Sequence, residues 1–358
     1  MTSLSVNSKR ILVLIFTCLV IISCSENNNS DSSSELSWSL SDGEEFPKER
    51  TLSRAEDGVM LSDGTLIVAD QRYGLVKVDV SGEVTPFGNF QLLGYEHNPP
   101  EVESGPNGVN LTPDQKHVIT ADVLSGRIYR SSIESNSTDI IYSHEYGVNT
   151  ARQDSTGAIW FTQSTENQNE ARLFEALARV IPDGALYRLP PAEDGSPQIA
   201  ELILGGLNFA NGFYIDEASK KFYLSEMQSS RVIAFDFDIS SGSLTKQVTL
   251  AQMPSPDNMA LNHDGTLWVA LPLANQIVSV NISTGATKTV FDAQTERGSK
   301  LLEQGLASIA NGGGWADLVG PELIGKMPGL LTGVIVGDQT QPFYVANLGQ
   351  ALIKVYRR

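Results

Sequence analysis

The chain has 358 residues, a formal net charge of −17 and 41% hydrophobic residues. This length suits one large domain or two ordinary ones. The acidic balance, with no basic stripe, excludes nucleic acid as a partner, because phosphate binding needs clustered Lys and Arg. The spread of acids reads as a solvated surface.

The N-terminus reads as an export signal. Lys9 and Arg10 precede an apolar run from Ile11 to Ile22, too short for a bilayer-spanning helix of about 20 residues. The string Ile21-Ile22-Ser23-Cys24 resembles a bacterial lipoprotein cleavage box, in which Cys24 becomes the lipid-bearing first residue. Residues 1–23 are then a signal peptide, and 24–35, rich in Ser and Asn, a flexible tether. The folded domain is expected over 36–358, as a monomer anchored by lipid to the bacterial cell envelope and facing the periplasm or the exterior. Cys18 and Cys24 are the only cysteines, so the mature domain has none for a disulfide.

From about residue 50 onward the chain repeats. Apolar runs at Leu66-Ile67-Val68, Val118-Ile119-Thr120, Ile159-Trp160-Phe161, Phe222-Tyr223-Leu224, Leu267-Trp268-Val269 and Phe343-Tyr344-Val345 each follow a turn. Further short strands follow several of them, such as Gly74 to Val78, Arg231 to Phe235 and Gln276 to Val280. Most units span the roughly 40–50 residues of a four-stranded propeller blade. The expected fold is all-β: a six-bladed β-propeller with helical insertions over one face. A strand near Ser37 to Leu40 is expected to complete the last blade. Two units are long. One carries Ala171 to Ile181 at helical spacing, and the other runs from about Thr295 to Leu331; either could wall one end of the channel or cover a blade edge.

Ten or eleven residues before each apolar run stand Glu56, Asn107, Asn149, Asn211, Asp257 and Gly333. A repeat fold puts these on one axis, at the start of the innermost strands. Glu56, Asn149, Asn211 and Asp257 offer only oxygen donors, a set that suits Ca²⁺ or another hard divalent cation. Zinc is excluded from the ring by the lack of Cys and His there. Asn and Asp before Gly are also ordinary turn residues, so each alone carries little weight. A metal with an open position would polarise a carbonyl, and Asp257 or Asp57 is the nearest base. No G-x-S-x-G elbow or reactive Cys competes.

The strings ADQRYGLVKVD (69–79), VNTARQDSTGAIWFTQS (148–164), NFANGFYIDEASKKFYLSE (208–226) and PDNMALNHDGTLWVAL (256–271) resemble the six-bladed calcium-dependent lactonase superfamily. That group includes gluconolactonase/regucalcin, the paraoxonases and strictosidine synthase-like proteins, and these strings are nearest the last. RAEDGVML (54–61) is similar to the paraoxonase segment that supplies a metal glutamate. The resemblance implies metal ligation by Glu56, Asn149, Asn211 and Asp257, with Asn258 added on the paraoxonase pattern and Asp57 matching a second, structural calcium. Paraoxonases have a histidine where this chain has Asn107, so Asn107 is expected to contact substrate and Asp257 to activate water. Plant strictosidine synthase uses a glutamate near the start of the sixth unit, and none stands near Gly333. The expected activity is calcium-dependent opening of a lactone or related ester. The alternatives are a binding propeller with structural calcium, or an isomerase or cyclase using the same site.

Overall fold

The computed structural model describes residues 37–191 and 198–358. The signal peptide, the tether and the lipid-attachment Cys24 lie outside the described residues. Six sheets follow one another around the fold, five of four strands and one of five, each built on four antiparallel strands. Blade 1 runs Gly58–Met60, Leu66–Asp70, Gly74–Val78 and Val84–Phe87. Blades 2, 3, 4 and 5 begin at Pro106–Leu111, Thr150–Gln153, Ala210–Asp216 and Met259–Leu261. The first strand of each blade touches the first strands of both neighbouring blades, and the last of these contacts returns from blade 6 to blade 1. The sheets therefore close radially, which removes long exposed edges.

The N-terminal strand is placed differently from the sequence expectation. Gly43–Phe46 completes blade 6, pairing antiparallel with Leu352–Val355 outside Leu331–Ile335 and Phe343–Asn347. Trp38–Ser39, in the expected segment, instead adds a parallel fifth strand to blade 5 beside Thr287–Asp292. Parallel pairing lets the short strand cap that edge while the chain runs on to blade 6.

Burial is deepest at the second strands and falls towards the rim. The second strands Leu66–Asp70, Ile159–Gln163 and Phe343–Asn347 are buried at every residue, whereas Ser243–Gln252, the outermost strand of blade 4, is mostly exposed. Between blades the core is large and aromatic: Trp160 packs on Phe222 and Phe237, and Trp268 on Phe343. Such side chains bury large areas in edge-on or offset arrangements.

The two long units hold helices. α1 (Glu170–Ala178) starts at Asn169, whose side chain accepts from the Arg172 amide as an N-cap. α2 (Glu296–Ala310) starts likewise at Thr295, and α3 (Pro321–Ile324) follows a short turn. The insertions are joined: the Trp315 amide donates to Leu177 O at 2.8 Å and the Val180 amide to Gly312 O at 3.2 Å. Among the described residues no helix is long and apolar enough to cross a membrane.

Candidate active site

Strand pairing fixes which residues are equivalent around the axis. In blades 1, 3 and 5 the pairs Val59–Ile67, Arg152–Trp160 and Ala260–Trp268 close the first hairpin. In blades 2, 4 and 6 the hairpin is one residue longer, as Asn110–Ile119, Tyr214–Tyr223 and Ile335–Tyr344 show. Three residues before the first member of each pair stand Glu56, Asn149, Asp257, Asn107, Asn211 and Thr332. The sixth ring position is therefore Thr332, and Gly333 lies one residue beyond it. The extra turn residue in blade 6 hid this from a count along the sequence.

The residue after each ring position alternates: Asp57, Gly108, Thr150, Gly212, Asn258, Gly333. The alternation is steric. A Cβ on Gly108 would lie 2.0 Å from Thr150 Oγ1, and one on Gly212 would lie 2.6 Å from the Asn258 Cα. Gly108 and Gly212 leave room for the polar residue of the next blade, and at Gly333 a Cβ would lie 3.3 Å from the Glu56 carbonyl oxygen, so three side chains remain below the ring.

All six ring residues line one cavity of about 750 Å³, part of it open to solvent. Arg54 joins them from blade 1. Its wall comes from both insertions and from loops between blades, and includes Leu173, Phe174, Leu177, Phe209, Trp315 and Leu330. The insertions thus wall the end of the channel where the first strands begin. A second cavity, of about 850 Å³, lies further along the same strands, with Asp57, Thr150, Arg152 and Asn258 in its lining.

The ring gathers buried oxygens that a cation would satisfy. Glu56, Asn149, Asn211 and Asp257 are all buried. Glu56 Oε2, Asn149 Oδ1 and Asn211 Oδ1 are buried with no hydrogen-bond partner. Buried acceptors without donors are costly, and here three of them border one cavity. Burial, reinforced by the charges of Asp57 and Asp257, pushes Glu56 well above the usual carboxylate range. Burial and the Asp57 charge raise Asp257 in the same way. A hard divalent cation satisfies all of these groups at once, since it takes six to eight oxygens, amide carbonyls included. Among the described residues no three His, Cys, Asp or Glu cluster as a metal site, so any cation held here would also need amide oxygens as ligands.

The structure gives three further expected residues specific partners. Asn258 turns its amide nitrogen to Glu56 Oε1 at 2.8 Å, so it presents the ring with a donor and not an oxygen. Asn107 is held on both sides: Oδ1 accepts from Arg54 Nη2 at 3.0 Å, and Nδ2 donates to Asn149 O at 3.1 Å. Asp57 faces the second cavity, where Oδ2 accepts from the Val109 amide and burial raises its pKa to about 6. There the half-buried Arg152 donates to Phe213 O at 2.9 Å and Met259 O at 3.4 Å, tying blade 3 to blades 4 and 5.

Sequence reasoning missed Arg54 and Thr332. Arg54 stands two residues before Glu56 in a left-handed conformation, φ 54°. Phe209 and Ser255 hold the same place before Asn211 and Asp257, with φ 60° and 45°. This recurrent kink aims the residue two before the ring, and it was readable only once the register was known.

Comparison with known proteins agrees with the fold. Residues 142–299 match the SMP-30/Gluconolactonase/LRE-like region family. Regucalcin of Danio rerio is 27% identical over 121 residues, which is 33% of this chain and only 39% of that protein. Pentonolactonase XacC of Haloferax volcanii is 24% identical, covering 56% of this chain and 75% of that one. Among solved structures, a gluconolactonase of Xanthomonas campestris superposes with a TM-score of 0.57 at 17% identity, covering 86% and 87% of the two chains. A calcium-binding regucalcin of Agrobacterium tumefaciens superposes with a TM-score of 0.56 at 11% identity, covering 88% and 97%. The chain is thus a six-bladed β-propeller, and its residues 142–299 are similar to the SMP-30/Gluconolactonase/LRE-like region.

Proposed function

We propose that the protein is a calcium-dependent hydrolase that opens a lactone or related ester. The observation that carries this is the set of three unpartnered buried oxygens, on Glu56, Asn149 and Asn211, beside Asp257 at the floor of a walled cavity. The lactonase names among its relatives support the same reading. When bound, the calcium supplies a Lewis acid for the substrate carbonyl and for the oxyanion that develops on it.

The chain's own residues do the rest. Asp257 takes a proton from water as the water oxygen bonds to the carbonyl carbon. The acyl C–O bond then breaks, and the same proton passes to the departing alkoxide. Glu56 and the two amides hold the ring geometry, and Asn258 fixes Glu56 through Oε1. The insertions wall the cavity from above. The protein is further proposed to act as a monomer in the bacterial cell envelope, tethered by lipid at Cys24.

The test is a panel of lactones and aryl esters, assayed with calcium and after chelation, for the wild type and Asp257→Asn. A general base typically contributes about 10²–10⁴-fold. The expected result is loss of turnover on chelation and a drop of at least about 100-fold in Asp257→Asn, with the fold retained. Full activity after chelation, or none on the whole panel, overturns the proposal.

A further inference from the structure

We infer that the walled cavity recognises an apolar-bodied carboxylate, with Arg54 taking the anionic end and the insertions taking the hydrocarbon. This rests on the lactonase reading for the reaction and deepens it by naming the ligand. The lactone served would then be alkyl-substituted, opening to a hydroxy acid whose carboxylate lies against Arg54.

Charge is the first argument. Glu56 and Asp257 are the two acids of the ring, and one divalent cation neutralises them. Arg54 lines the same cavity and gives its floor beside the ring, though not the lining as a whole, a net positive charge. The remaining charged residue of the lining, Glu170, is exposed at the start of α1. An anion is the ligand that such a floor favours.

Geometry is the second. Two of the guanidinium N–H groups are committed, Nη1 to Pro106 O at 2.7 Å and Nη2 to Asn107 Oδ1 at 3.0 Å. A guanidinium has five N–H donors in a fixed fork. The two anchors fix the fork beside the ring and leave further N–H groups for a carboxylate, which arginine binds in two-point fashion. Asn107, expected as a substrate contact, is by this account a positioning residue that acts through Arg54.

The wall is the third. Phe174, Leu177, Phe209, Met227, Trp315 and Leu330 give the upper cavity an apolar lining. Trp315 is buried, and its indole N–H is without a partner. A polyhydroxylated ligand would leave most of its hydroxyls unpaired against these side chains, a strong penalty. An alkyl chain gains roughly 0.8 kcal/mol for each methylene buried.

The experiment uses hexanoate and hexan-1-ol as probes, titrated calorimetrically into the calcium-loaded domain, with calcium affinity measured in parallel. The wild type is expected to bind hexanoate at least tenfold more tightly than hexan-1-ol. Arg54→Gln is expected to erase that preference while calcium still binds, and Arg54→Lys to keep part of it. Equal affinity for the two probes in the wild type overturns the inference. So does an Arg54→Gln protein that keeps the preference and loses only calcium affinity, since Arg54 would then merely balance the ring acids. If Arg54→Gln does not fold, the wild-type comparison together with Arg54→Lys decides. These are binding readouts, so hexanoate preference without turnover of any lactone would sink the hydrolase reading alone.

Discussion

The Thr332 hydroxyl donates to the backbone carbonyl of Glu56 at 2.7 Å, joining residues 276 apart in the chain. The bond crosses the seam between blades 6 and 1 and holds the ring residue Glu56 by its main chain. The site thus depends on the closure of the propeller.

Thr332→Val keeps the side-chain shape and removes the donor. The Glu56 carbonyl is then left buried and unsatisfied, which costs about 1–3 kcal/mol. Denaturant unfolding is expected to show that loss, with weaker calcium binding as Glu56 loosens. An unchanged midpoint together with unchanged calcium affinity would refute the seam argument.

In the calcium-free protein Glu56 and Asp257 have folded pKa values raised above their ordinary ones, chiefly by burial. Such groups contribute stability that is fully present below their unfolded pKa and is lost as pH rises through the folded value. The calcium-free protein should therefore melt lower at pH 7.5 than at pH 5. Calcium at 100 times its dissociation constant should add about 2.7 kcal/mol. Glu56→Gln is expected to stabilise the calcium-free form at neutral pH and to blunt the response to calcium. Thermal melts with and without chelator check both statements.

His144 packs on Phe161 and Tyr187, and its Nε2 lies 2.9 Å from Gln163 Oε1. Burial lowers its pKa below the ordinary value of 6.5. Between the folded value and 6.5 the unfolded chain binds the extra proton. His144 therefore costs stability as pH falls from 6.5 towards its folded pKa, and no more below that. His144→Phe should flatten the acid side of the stability profile between pH 7 and 5. A slope identical to the wild type's would rule the assignment out.

The sequence by itself determined the repeat, the blade count and five of the six ring positions. Alternating apolar runs and turn signals are local properties of a strand pair, and a repeated unit copies them at a readable spacing. Glu56, Asn107, Asn149, Asn211 and Asp257 were legible for that reason, as were the helix of the first insertion and the long second one. Tertiary structure decided what local patterns do not encode. It assigned Thr332 in place of Gly333, because the longer hairpin of blade 6 shows only in the pairing. It placed Gly43–Phe46 in blade 6, because closure is a contact between chain ends. It turned the Asn258 amide towards Glu56 and bound Asn107 to Arg54, because side-chain direction at a crowded axis is set by neighbours from other blades. Those contacts between distant residues make the ring a site.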